Sequence, residues 1–134
     1  MTLTGAVELQ SSITITTDSG GTDGAVSFSS TVDALNGTTS SLTVDSGTAA
    51  TTISGAVGAT DELSGLTINT TNGDTGAITL TGIGTGTSSG GSGAAAVTVG
   101  NTGTTTLTLA GTTYNIDGNA EFESVTGADK IVMT

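Results

Sequence analysis

The sequence predicts an all-β fold, a parallel β-solenoid of about five coils of about 25 residues each, and three observations carry that prediction. A six-residue phrase, "TLTGAV" at 2–7, returns as "TISGAV" at 52–57 and more loosely as "SFSSTV" at 27–32. Apolar residues alternate with Thr or Ser in short runs, the period of a strand with one buried face. Between the runs lie Gly, Asp, Asn and Ser, with 22 Gly and no Pro in 134 residues. Such intervals favour turns, and Gly scattered at this density leaves no 3.6-residue stripe able to persist as a helix.

The elements follow in order along the chain. Leu3, Phe28, Ile53 and Leu80 anchor the first phrase at spacings of 25, 25 and 27 residues. Val7, Val32 and Val57 lie four residues further on, with Ile83 near the equivalent place in the fourth copy. A second phrase alternates with the first: "ITITTDSG" from Ile13, "LTVDSG" from Leu42, "LTINTTNG" from Leu66 and "VTVGNTG" from Val97, spaced by 29, 24 and 31. Val, Ile and Thr are β-branched and suit a pleated surface. Residues 18–24, 36–41 and 71–76 are turns by their chemistry.

In stacked coils, equivalent residues lie over one another, so Leu3, Phe28, Ile53 and Leu80 are expected to form one interior ladder, and Leu42 and Leu66 another. The alternative, a β-sandwich, fits poorly. Its two inner faces need bulky residues, and this chain has one Tyr, two Phe and no Trp. The chain reads as one repeat domain over 1–134, with regular coils over 1–84 and a loose Gly/Ser loop over 85–96. Residues 97–134 read as less regular C-terminal coils or a cap, holding Tyr114, Phe122 and Lys130.

Charge removes several function classes. Twelve acidic residues stand against the single base Lys130, a net charge of −11. Binding phosphate requires Lys and Arg to displace counterions, so nucleic acid and anionic membrane surfaces are excluded as partners. No apolar run is long enough to span a bilayer as a helix. The chain has no Cys and no His, so disulfides, thiolate or imidazole metal sites and nucleophilic triads cannot be built. Enzymatic activity is not expected. Asp61 with Glu62, and Glu121 with Glu123, are the nearest approach to a glycosidase carboxylate pair, and only the second pair shares a strand face.

Two binding chemistries are legible. Asp18 and Asp23 flank "SGGT" in a Gly-rich turn, and Asp45, Asp61, Glu62 and Asp74 also lie in or beside turns. Oxygen ligands on such loops suit calcium, which makes Asp18 and Asp23 the candidate ligands; no other cofactor is expected. The Thr-x-Thr phrases at Thr2, Thr14, Thr79 and Thr106 suggest outward Thr ladders of the kind that could match ice, although Asp45 and Asn69 interrupt one of them.

The phrases "LTGAV", "VSFSSTVDAL", "SLTVDSGT", "ISGAVGATDELSGLTINT" and "GAITLTG" resemble the β-strand repeats of very large bacterial surface and secreted proteins, the filamentous-haemagglutinin-like proteins and giant repeat adhesins. The likeness covers about residues 1–84. It implies a parallel β-helix, an extracellular or cell-surface location and a structural or adhesive role with no catalytic residues. The expected function is a structural module of a filament, surface layer or adhesin stalk; the alternative is a binding module for surface glycan or ice. Open strand edges template further pairing. The terminal strands, Thr2 and Leu3 at one end and Ile131, Val132 and Met133 at the other, are therefore expected to meet head to tail. Their partner would be a neighbouring copy or further repeats of the same chain, and deleting 130–134 is expected to shorten or abolish filaments.

Overall fold

The computed structural model describes residues 1–84, 93–124 and 131–134. Among them are β1 (Thr2–Leu3), β2 (Val7–Leu9), β3 (Ile13–Thr16), β4 (Val26–Phe28), β5 (Val32–Ala34), β6 (Ser41–Asp45) and β7 (Thr51–Ile53). The later strands are β8 (Gly65–Ile68), β9 (Ile78–Leu80), β10 (Val97–Val99), β11 (Leu107–Leu109), β12 (Ala120–Phe122) and β13 (Ile131–Met133). No helix occurs among the described residues.

The strands stack as a parallel β-solenoid. One sheet runs β1-β4-β7-β9-β11-β13 and a second β12-β10-β8-β6-β3. Between them β2 pairs with β5, and that row continues as single bridges through Val57, Ile83 and Tyr114. Every pairing is parallel, as it must be when each strand meets its counterpart one coil on. In the six-stranded sheet Leu3 lies against Phe28, Phe28 against Ile53 and Ile53 against Leu80. In the five-stranded sheet Leu42 lies against Leu66. Both ladders are those the spacing predicts, and the sandwich alternative is set aside.

The period-two pattern maps directly onto burial. In β4, β7, β9, β10 and β11 the outer two residues are buried and the central Ser or Thr is half-buried. The core is one column of slim aliphatic side chains with Phe28 as its largest member. Coils differ in length because the corners absorb the difference, leaving strand register intact.

Residues 85–92 of the segment read as a loop lie outside the described residues, as does Lys130. Residues 93–96 take part in the coil: Ala94 is buried and bridges Leu63 on one side and Ile116 on the other. Residues 97–124 continue the stack, with β10 on β8 and β12 on β10. Tyr114 closes its corner by donating its hydroxyl to the Leu80 carbonyl at 2.9 Å and accepting the Gly111 N–H at 3.1 Å.

Candidate metal centre

The corner that follows the five-stranded sheet gathers carboxylates from three coils. Thr16 pairs with Asp45 across β3 and β6, which places Asp18 in the turn just beyond β3. Asp74 comes from the next turn. Carboxylate oxygens of Asp18, Asp45 and Asp74 all lie within 4.8 Å of one another. The three side chains grade from exposed through half-buried to buried.

Hydrogen bonds hold each carboxylate in place. Asp18 accepts the Gly20 N–H at 3.2 Å, Asp45 the Gly47 N–H at 3.3 Å and Asp74 the Thr71 N–H at 3.1 Å. The turn carrying Asp74 is held from within by Asn101, whose amide donates to the carbonyls of Asn69 at 2.8 Å, Asp74 at 2.9 Å and Thr71 at 3.0 Å. One coil below, Asn69 adopts a positive φ of 47° and its side-chain oxygen accepts the Ser46 N–H at 2.8 Å. Gly47 keeps the corner open: it sits at φ 57°, and a Cβ there would reach 2.6 Å from Asp23 Oδ2.

Asp23, the other candidate ligand, lies beside this group and is held by its own hydrogen bonds. Its carboxylate accepts the Thr48 hydroxyl at 2.6 Å, the Thr48 N–H at 2.8 Å and the Ser19 N–H at 3.2 Å. Those donors, the Thr48 hydroxyl foremost, hold its pKa down to about 2. The stability this contributes is present above the ordinary value of 3.8 and is lost as pH falls toward about 2. Asp18 thus joins Asp45 and Asp74, while Asp23 ties two turns together beside them.

Asp74 behaves in the opposite sense. Burial pushes its pKa up, and the charges of Asp45, Asp18 and Asp23 push it further, against the Thr71 N–H. A group whose folded pKa is raised binds its proton more tightly when folded, so stability falls as pH rises from 3.8 through the raised value. Asp74→Asn is therefore expected to raise Tm by a few degrees at pH 7 and to leave it unchanged near pH 3, read by circular-dichroism melts.

The donor set is chemically suited to a hard divalent cation. Two oxygens held about 2.4 Å from a shared calcium ion lie no more than about 4.8 Å apart, and calcium accepts mixed carboxylate, carbonyl and water ligands. Asp18, Asp45 and Asp74 are the residues that could hold it. A ligand that binds only the folded state raises stability by about 2.7 kcal/mol at a hundred times its Kd. A calcium-dependent rise in Tm that Asp74→Asn abolishes is the signature of such binding; equal melts with calcium and with chelator would exclude it.

The other sequence candidates are scattered. Asp61 and Glu62 are half-buried and line a cavity of about 350 Å³ with Thr38, Thr39, Thr60 and Ser64, none of them basic. The turn bearing them is pinned by Asp33, which accepts the Thr60 N–H at 2.8 Å. Glu121 is exposed and Glu123 half-buried at the edge of β12. Residue patterning named Asp45 and Asp74 as turn acids without grouping them with Asp18, read Asn69 only as a break in a Thr ladder and passed over Asn101. The β3–β6–β8 register carried forward aligns Asp45 with Asn69, so Asp74 reaches the cluster through the fold of its own turn and not by register. No protein-family model, no curated protein and no solved structure matches this chain.

Proposed function

We propose that the chain is a structural repeat module of an extracellular filament, surface layer or adhesin stalk, extended axially by further rungs at both faces. One observation carries this reading. The exposed large apolar residues, Met1, Ile13, Ile131 and Met133, at 40–74% exposure, all occur in or beside the terminal strands. Ile13, Ile131 and Met133 pair with the core residues Leu42, Leu107 and Leu109, and Met1 immediately precedes β1. They are ladder positions with a neighbour on one side only, and a further rung would cover them as Leu42 and Leu107 are covered. Open strand edges beside them offer the matching N–H and C=O groups.

Sedimentation and negative-stain imaging of the 134-residue chain across a concentration series test the reading. Rods that lengthen with concentration are expected. Ile13→Asp should suppress that growth while the monomer keeps its β signal, since this side chain is already 40% exposed. Monodisperse monomers at high concentration, with and without calcium, would count decisively against it.

A second reading, binding to ice or a flat glycan, is favoured by one specific arrangement. The interruptions fall at the end of the five-stranded sheet, Asp45 as the last residue of β6 and Asn69 just past β8. The six-stranded sheet instead carries an outward hydroxyl file through Thr2, Ser27, Thr52, Thr79 and Thr108. A second file of exposed hydroxyls lies two residues on, at Thr4, Ser29, Ser54 and Thr81. Inhibition of ice recrystallisation by the monomer, lost in Thr52→Tyr, would support this reading over the first.

A further inference from the structure

Asn occurs at 36, 69, 72, 101, 115 and 119, and two of these residues, Asn36 and Asn72, precede Gly. Both pairs form the centre of a tight turn. Thr38 donates its N–H to the Leu35 carbonyl at 2.9 Å, and Asp74 donates its N–H to the Thr71 carbonyl at 3.1 Å. Gly37 and Gly73 take positive φ, 81° and 116°, a region that residues with a Cβ rarely adopt. Asn36, Gly37, Asn72 and Gly73 are all exposed. Neither Asn side-chain amide and neither Gly N–H has a hydrogen-bond partner among the described residues.

We propose that these two turns are sites of spontaneous deamidation, each converting a neutral amide into a carboxylate without an enzyme. The Gly nitrogen, its proton lost to water, attacks the Asn Cγ. An N–Cγ bond forms, the Cγ–Nδ2 bond breaks and the nitrogen leaves as ammonia with a proton from water, leaving a cyclic succinimide. One water then opens the ring at either carbonyl, giving aspartate or isoaspartate. Nothing is oxidised or reduced: water enters and ammonia leaves.

The fold separates these two amides from the others. Gly has no Cβ to shield its nitrogen and is free in φ, so the backbone can swing onto the preceding side chain. Asn69 and Asn101 precede Thr, are buried and have their amides engaged. Asn69 donates to the Ser46 hydroxyl at 3.1 Å, and Asn101 to the carbonyls of Asn69, Thr71 and Asp74. Asn115 precedes Ile116, and Asn119 precedes Ala120. The change at Asn72 reaches the interior. Isoaspartate there adds a methylene to the main chain between Thr71 and Asp74, the residues whose carbonyls the buried Asn101 binds. It also strains the bond from the Thr71 N–H to the Asp74 carboxylate.

The 134-residue chain, kept folded in warm, mildly alkaline buffer and sampled over days, tests this. Digestion in mild acid with a Glu-specific protease cuts after Glu62 and puts Asn36 and Asn72 on different peptides. Mass spectrometry should find amide loss at these two residues at least about tenfold faster than at Asn69, Asn101, Asn115 or Asn119. Labelling by an isoaspartyl methyltransferase should mark the same peptides. Asn72→Gln keeps an amide whose cyclisation needs a larger, slower-forming ring. It should abolish loss at that position, leave loss at Asn36 unchanged and lessen the fall in Tm that the ageing chain shows. If Asn36 and Asn72 stay intact in the folded chain while a urea-unfolded sample loses them, the fold shields both turns and the proposal is wrong. Comparable rates at every Asn would also overturn it. An equal fall in Tm with age in the Asn72→Gln chain would overturn the part assigned to the 71–74 turn.

Discussion

Replacing Ile53 with Asp is expected to unfold the solenoid, whereas Asp at the adjacent Thr52 is expected to be tolerated. Ile53 is fully buried and lies in register between Phe28 and Leu80. A carboxylate there has no basic partner, since among the described residues no Lys or Arg occurs. An unpaired charge in a dry ladder costs several kcal/mol, either as desolvation or as forced protonation. Domains of this size have about 5–15 kcal/mol in total, so the loss removes much of the margin. Thr52 points outward between Ser27 and Thr79, both uncharged. Its substitution should cost about 1 kcal/mol or less. Urea titrations followed by circular dichroism compare the two, and equal sensitivity would mean that the inward and outward faces are misassigned.

The second large effect is expected at Gly111. A Cβ on this residue would land on the carbonyl oxygen of Thr81, one coil below, so the backbone itself has to move. Gly111 also donates its N–H to the hydroxyl of Tyr114, which in turn donates to Leu80. A shift there disturbs the corner that joins β11 to the Tyr114 row. Gly111→Ala should cost about 3 kcal/mol, the upper range for overpacking against an unyielding neighbour. Gly5→Ala is the control: its Cβ meets nothing within 4 Å. There the substitution should be neutral or stabilise by about 0.5 kcal/mol, through the lower entropy of the unfolded chain. Tm values that fall alike for both would show that coil separation at Gly111 is looser than the structure has it.

By itself the sequence determined the coil and the two faces of its strands. Leu3, Phe28, Ile53 and Leu80 could be read as one ladder because a solenoid places chemically similar residues in equivalent positions, and alternation with Thr or Ser marks which side faces the core. The charge of −11 and the absence of His and Cys bounded the available chemistry equally early, since composition needs no geometry. Only the tertiary structure decided which turn carboxylates converge. Asp18 lies beside Asp23, its neighbour in the same turn, and also meets Asp45 and Asp74 from other coils. Asp18, Asp45 and Asp74 are not register equivalents, since Asp45 falls opposite Asn69, so their proximity is set by how each turn folds between its stacked strands.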